Sequence, residues 1–204
     1  MRMLCQIALQ VAAVLLSYIW GSLSTAVLLG RAFGLPDPRL HGSGNPGTTN
    51  MLRLGGKPVA ALTLICDVLK GWLPVYLALH YPLPLIVVAA MMLAVFLGQL
   101  WPIFFGFKGG KGVATSLGVI LAVSPILAFM VIVTWMVVII ATRWVSLASL
   151  AAASLAPFYS FLFLPWPLRL ALLSLSLGII VRHHANIERL IKGSEPKLGN
   201  KVSL

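Results

Sequence analysis

The sequence predicts an all-α fold: a polytopic integral membrane helix bundle of about seven transmembrane helices, with the N-terminus outside and the C-terminus cytoplasmic. Three observations carry that expectation. Of 204 residues, 60% are hydrophobic and only 9% charged, where a soluble domain carries roughly 25% charge. The apolar residues gather into runs long enough to cross lipid, each break carrying charge, proline or glycine. The 15 Lys and Arg residues, against 4 Asp and Glu for a net charge of +11, are placed so as to fix an orientation. A surface this apolar needs lipid as solvent, which excludes an ordinary soluble domain and a disordered chain alike. In a soluble chain the cation excess would raise nucleic acid as a partner. In a membrane chain it marks cytoplasmic ends and favours anionic lipid or phosphate ligands, so membrane lipid is expected as a partner and nucleic acid is not.

The runs lie at about 7–30, 59–79, 83–107, 113–142, 144–164 and 168–181, and they leave room for no soluble domain, so residues 1–204 read as a single domain. The first lacks a small-residue cleavage site and exceeds the roughly 7 to 15 residues of a signal-peptide core, so it reads as a retained helix. The second contains Asp67 and Lys70, three residues apart on one helical face. A charge at such depth costs several kcal/mol unless it is paired, and these two can neutralise each other. The third ends at Gly98-Gln99 before Trp101-Pro102. The fourth is too long for one crossing: 30 residues at about 1.5 Å each make ~45 Å against a ~30 Å hydrocarbon core. Ser124-Pro125 offers a break within it, because proline interrupts helical hydrogen bonding. Val113–Val123 is then a partial helix, or one extended by the glycine-rich segment before it. The fifth run is an ordinary span, and the short sixth extends into the tail. Cys5 and Cys66 lie in apolar surroundings and imply neither a disulfide nor a metal site.

Charge decides between six and seven spans. With seven, Arg31, Arg39, Arg53, Lys57, Lys108 and Lys111 join Arg143, Arg182, Arg189, Lys192, Lys197 and Lys201 on the inside, leaving only Arg2 and Arg169 outside and Lys70 within a span. The positive-inside rule favours that arrangement.

Seven spans also put every unusual polar segment on the cytoplasmic side. The first, His41-Gly42-Ser43-Gly44-Asn45-Pro46-Gly47-Thr48-Thr49-Asn50, formally matches G-x-G-x-x-G, but no strand precedes it and no βαβ unit follows, so a dinucleotide fold is excluded. Its glycines let backbone N–H groups converge and its Ser, Asn and Thr add donors, which suits an anion; a plain turn is the alternative. The second, Lys108-Gly109-Gly110-Lys111-Gly112-Val113-Ala114-Thr115, is not a Walker A loop, because Gly follows Lys111. It runs into a helix whose N-terminal N–H groups, beside a lysine, make a phosphate site; a basic loop serving only topology is the alternative. The third, Arg182 to Gly193, leaves the last span as a helix with His183, Asn186 and Leu190 on one face and a Glu188–Lys192 pair. Alone it reads as a juxtamembrane amphipathic helix. Adjacent His183 and His184 point to different faces, so a shared metal site is not expected.

At these segments the chain resembles the bacterial acyl-phosphate:glycerol-3-phosphate acyltransferase family, small membrane enzymes of phospholipid synthesis. The resemblance covers nearly the whole chain: Ser43 to Asn50 with Arg53, then Lys108 to Thr115, then Arg182-His183 with Asn186 and Arg189, and between them Asp67-Val68-Leu69-Lys70-Gly71. Two positions depart from the family pattern, Thr48 for a common Ala and Gln99 for a common His, and Gln99 reads as structural. The resemblance implies transfer of a fatty acyl group from acyl phosphate to the 1-hydroxyl of glycerol 3-phosphate, giving lysophosphatidic acid and phosphate, at the cytoplasmic face of the bacterial inner membrane. It implies catalysis by His183, Asn186 and Lys111. It assigns substrate and phosphate binding to Ser43, Gly44, Asn45, Gly47, Thr49, Asn50, Arg53, Lys108, Gly109, Gly110, Gly112, Thr115, Arg182 and Arg189. No cofactor and no metal are expected. For the proton of the attacking hydroxyl, His183 is the best side-chain base, and a substrate phosphate, with a second pKa of about 6, stands slightly ahead of it.

Two other classes compete. An anion or phosphate transporter would also want basic glycine loops, but it should leave polar groups on both faces, and the outer loops near His80 to Pro84 and Pro165 to Pro167 are short and nearly uncharged. A non-catalytic lipid-binding protein leaves the first two glycine-rich segments unexplained.

Overall fold

A computed structural model describes residues 1–199, so Lys201, expected inside, lies outside the described residues. Among these, every regular element is helical: α1 Arg2–Gly21, α2 Thr25–Ala32, α3 Thr48–His80, α4 Leu85–Leu100, a 3₁₀ turn Ile103–Phe105, α5 Val113–Val123, α6 Pro125–Thr142, α7 Val145–Phe163, α8 Trp166–Arg182 and α9 His184–Ile191. Five helices, α1, α3, α4 with its 3₁₀ turn, α6 and α7, are long and apolar enough to span, and α8 with α9, bent by 56°, makes a sixth. Ser124 breaks the fourth apolar run as expected, its hydroxyl accepting the Leu127 N–H at 3.3 Å as the cap of α6. The glycine-rich segment does not extend α5. Gly112 turns left-handed at φ 78° and the helix starts at Val113, so its 11 residues rise ~16 Å, short of a ~30 Å core.

The first apolar run departs from the expected single helix, breaking at Ser22–Ser24 between α1 and α2. The break falls beside a close helix crossing. Gly21 and Gly98 lie where α1 crosses α4, and a Cβ on Gly21 would collide with the Val95 backbone. Small residues at such crossings let helix backbones touch. Gly71 and Gly118 do the same between α3 and α5, against the Thr115 and Val68 carbonyls. Phe96, Leu100, Leu172 and Leu175 of α4 and α8, with Val75 and Val119, form the core. Leucines and phenylalanines facing away from it remain exposed, as lipid-facing positions do.

The break after α1 frees the Leu23 carbonyl, which accepts from Lys70 Nζ at 2.8 Å. Irregular backbone at membrane depth is tolerated where protein groups satisfy it. Lys70 also pairs with Asp67 at 3.0 Å, each side chain 3% exposed, and donates to Gln99 Oε1. Thr25 donates its hydroxyl to Asp67 at 2.5 Å. The expected Asp67–Lys70 pairing is therefore met, and Gln99 belongs to it.

Candidate active site

The segment between α2 and α3 is shaped from within. Gly42 and Gly44 adopt left-handed φ of 64° and 68°, open to glycine without steric cost. Asn50, completely buried, donates to the carbonyls of Pro38 and His41 at 2.9 Å each and accepts the Ser43 N–H at 2.9 Å. It is the scaffold of the loop; its carboxamide faces inward rather than toward a ligand. Gly47 caps α3 in extended conformation, so Thr48 and Thr49 already lie in the helix. Ser43, Gly44 and Arg53 are exposed, while Asn45 and Thr49 are partly so. Arg39 grips Asp37 through three hydrogen bonds from Nε and Nη2 and holds its carboxyl down at about 2. The same guanidinium donates to the Phe105 carbonyl at 3.1 Å, tying this loop to the turn after α4.

The second loop is built by close packing. A Cβ on Gly109 would press on the Leu100 carbonyl and Pro102, and one on Gly112 on the Leu100 and Phe96 side chains. Gly110 donates its N–H to the Gln99 carbonyl at 3.0 Å. A Cβ there would stand 3.1 Å from the Pro46 carbonyl, so the two glycine-rich loops touch at Gly110. These three glycines therefore allow close backbone packing around Lys111, and the Gly110 N–H is taken by the Gln99 carbonyl. Thr115, expected among the phosphate ligands, is fully buried with its carbonyl against Gly71. That position puts it in the contact of α3 with α5. Lys108 is exposed.

The third segment closes on the second. Arg182 donates to the carbonyls of Gly109 and Gly110 at 3.0 and 3.3 Å. Lys111 donates to Asn186 Oδ1, Asn186 donates to Glu195 Oε1 at 2.6 Å, and Arg189 donates to Glu195 Oε2 at 2.7 Å. Glu195 is the residue sequence reasoning missed. As a lone acid beyond α9 it matched no catalytic spacing, and its one signal was being an acid among many cations. Burial raises its pKa, but Asn186 and Arg189, with Ser146 nearby though outside hydrogen-bond geometry, outweigh that and hold it below the ordinary glutamate value. The tail is fastened further. Trp144 Nε1 donates to the Glu195 carbonyl at 3.1 Å, Leu198 donates its N–H to the Arg143 carbonyl at 2.7 Å, and Lys197 stacks on Trp144.

Lys111 and His183 are perturbed as well. Burial lowers Lys111 to about 8; Glu195 opposes this, and Arg189, Arg182 and Arg53 deepen it. Arg53 thus belongs to the same field as the second and third segments. Burial and then Lys111 lower His183 to about 4, leaving a neutral imidazole at pH 7. Its Nδ1 lies 2.8 Å from the Ile179 carbonyl. A carbonyl only accepts, so Nδ1 carries the proton and Nε2 the lone pair. The resulting site gathers Arg53, Lys111, Arg182 and Arg189 about one neutral histidine, with a single buried carboxylate beneath them: a setting for phosphate-bearing anions.

Known proteins resemble this chain in sequence and fold. The profile of the family described as Glycerol-3-phosphate acyltransferase matches residues 11–193. A glycerol-3-phosphate acyltransferase of Methylobacillus flagellatus is 53% identical over 189 residues, covering 92% of this chain and 96% of its own. One of Paraburkholderia phytofirmans is 50% identical, with 91% and 89% covered. Among solved structures, PlsY (YgiH), an integral membrane glycerol 3-phosphate acyltransferase in its glycerol 3-phosphate form, superposes with a TM-score of 0.89 at 38% identity over 93% of this chain and 96% of that one. Its lysophosphatidic acid form gives 0.87 at 36% identity, with 93% and 95% covered. A cationic site of this kind, in an all-helical membrane chain matched along nearly its full length, makes the protein an acyltransferase of the glycerol-3-phosphate acyltransferase family.

Proposed function

We propose that the protein transfers a fatty acyl group from acyl phosphate to the 1-hydroxyl of glycerol 3-phosphate, releasing 1-acyl-glycerol 3-phosphate and inorganic phosphate, at the cytoplasmic face of the bacterial inner membrane. The observation that carries this reading is the junction of three segments: Lys111 bonded through Asn186 and Glu195 to Arg189, with Arg182 on the Gly109 and Gly110 carbonyls and Arg53 in the same field. Both substrates carry phosphate, and four cations around one carboxylate leave positive charge for two anions. The relative in its glycerol 3-phosphate form supports the acceptor, and the one in its lysophosphatidic acid form supports the product. The acyl chain has lipid beside it and an apolar groove of about 480 Å³ between α7 and α8, whose Ile180 end lies two residues from Arg182.

In the mechanism the hydroxyl oxygen attacks the acyl carbonyl carbon, the carbonyl–phosphate bond breaks, and phosphate leaves. Acyl phosphate is already an activated donor, so the site's task is positioning and charge stabilisation. Arg53 and the exposed Ser43 and Gly44, with Asn45, Gly47 and Thr49 beside them, hold one phosphate. Lys111 and the start of α5 stabilise the charge developing on the carbonyl and leaving group. His183, with a pKa near 4, is a weak base at neutral pH; its Nε2 lone pair and Asn186 orient the hydroxyl, and a substrate phosphate takes the proton. The test is phosphate release from acyl phosphate by purified protein. Release that depends on glycerol 3-phosphate is expected, and release indifferent to it, or none, overturns the reading.

A further inference from the structure

Resting on that reading, we propose that Gln99, anchored by the Asp67–Lys70 ion pair, is a positioning residue that holds the Lys111 loop in its reactive geometry. Gln99 is the penultimate residue of α4 and is 6% exposed. It meets the loop twice. Its carbonyl accepts the Gly110 N–H at 3.0 Å, and its Nε2 lies so close that a Cβ on Gly110 would stand 2.8 Å from it. From the other side its Oε1 accepts from Lys70. An ammonium has three protons, and Lys70 has three acceptors: Asp67 at 3.0 Å, the Leu23 carbonyl at 2.8 Å, and Gln99. Asp67 is pinned in turn by Thr25. Asp67 alone neutralises the lysine, so the bond to Gln99 is not needed for charge. What it does is fix the rotamer of a side chain packed on Gly110, the residue where α4, the first loop through Pro46 and α8 through Arg182 converge. Lys111 is the next residue in the chain.

The experiment compares wild type, Gln99→Met, Gln99→His and the paired change Asp67→Asn with Lys70→Met, all purified as monodisperse protein. Methionine fills the same volume with no strong acceptor. Imidazole restores an acceptor nitrogen for Lys70. A small displacement of a positioned group can lower a rate about a hundredfold. Gln99→Met is therefore expected to lower kcat by about tenfold or more with both KM values within about threefold, and Gln99→His to recover most of the loss. The paired change is expected to lower kcat similarly, and adding Gln99→Met to it to lower kcat little further, as for members of one coupled unit. Amide exchange read by mass spectrometry, which needs no turnover, is expected to accelerate over Gly109–Thr115 in Gln99→Met and not over α7. Unchanged kcat in Gln99→Met, full additivity, or unchanged exchange in the loop overturns the assignment. If Gln99→Met fails to fold, the paired change alone decides, and unchanged kcat there overturns it. If wild type itself releases no phosphate, the acyl-transfer reading has failed and loop exchange alone decides the positioning role.

Discussion

Lys111 sets a pH limit on the reaction and His183 sets none in the working range. Lys111, lowered to about 8 by burial, carries its charge below that pH and loses it above, so kcat/KM is expected to fall as pH rises through about 8. Lys111→Arg keeps a cation throughout and should abolish that alkaline limb even where the rate is lower. His183, lowered to about 4, is neutral at all working pH values. An acid limb near pH 6 then belongs to a substrate phosphate, and His183→Asn and His183→Gln should both retain it. If both variants lose more than about a thousandfold in kcat and the acid limb vanishes, His183 is the base and substrate assistance fails. Arg53→Ala and Lys111→Ala should each lower kcat/KM by about tenfold or more, the loss of a charged hydrogen bond to phosphate; values near wild type for both substrates would remove these residues from the site.

Between elements, what decided the site was contact rather than pattern, which is why the sequence disclosed it unevenly. The Ser124-Pro125 break was legible because proline acts locally. The Ser22–Ser24 break was not, because it falls at the crossing where Gly21 meets the Val95 backbone 74 positions on, a contact no local pattern announces. Lys111, Arg182, His183, Asn186 and Arg189 were legible as chemistry, and the structure joins them. The glycines at 109, 110 and 112 were legible as unusual, but their reason is the neighbouring backbone and side chains of Gln99, Leu100 and Phe96. Glu195 carried no signal beyond being an acid among cations, since an acid nine residues beyond Asn186 acquires its role only when the tail folds back on Trp144. That role is testable apart from catalysis by His183. Glu195 supports the charge on Lys111, so Glu195→Gln should move the alkaline limb of kcat/KM to lower pH. A limb that stays in place would mean that Glu195 does not govern Lys111.

For the whole molecule, the contacts among its loops bear on how the bundle sits across the membrane. Arg39 touches Phe105, Pro46 faces Gly110, Arg182 meets Gly109, and Leu198 meets Arg143. The segments after α2, after α4 and after α6, and the tail after α9, therefore gather at one end of the bundle, and that end holds nearly all the cations. Cations collect on the cytoplasmic side. The short α5 and the longer α6 run between two points at this end, with Ser124 at their far turn, so the pair can act as an out-and-back excursion although α5 rises only ~16 Å. The expected outcome is seven crossings with only the N-terminus and the turns near Tyr81, Ser124 and Pro165 outside. Single cysteines in a background lacking Cys5 and Cys66 test it. Lys57 and Ser194 are suited to the inner face, being exposed; Gly56 is not, because its φ of 76° would strain a cysteine. Tyr81, 66% exposed, suits the outer face. In intact cells a membrane-impermeant thiol reagent should label a cysteine at 81 and leave those at 57 and 194 untouched until the cells are opened. Labelling at 57 or 194 before opening would put the cationic end outside, and the cytoplasmic placement of the site would fall with it.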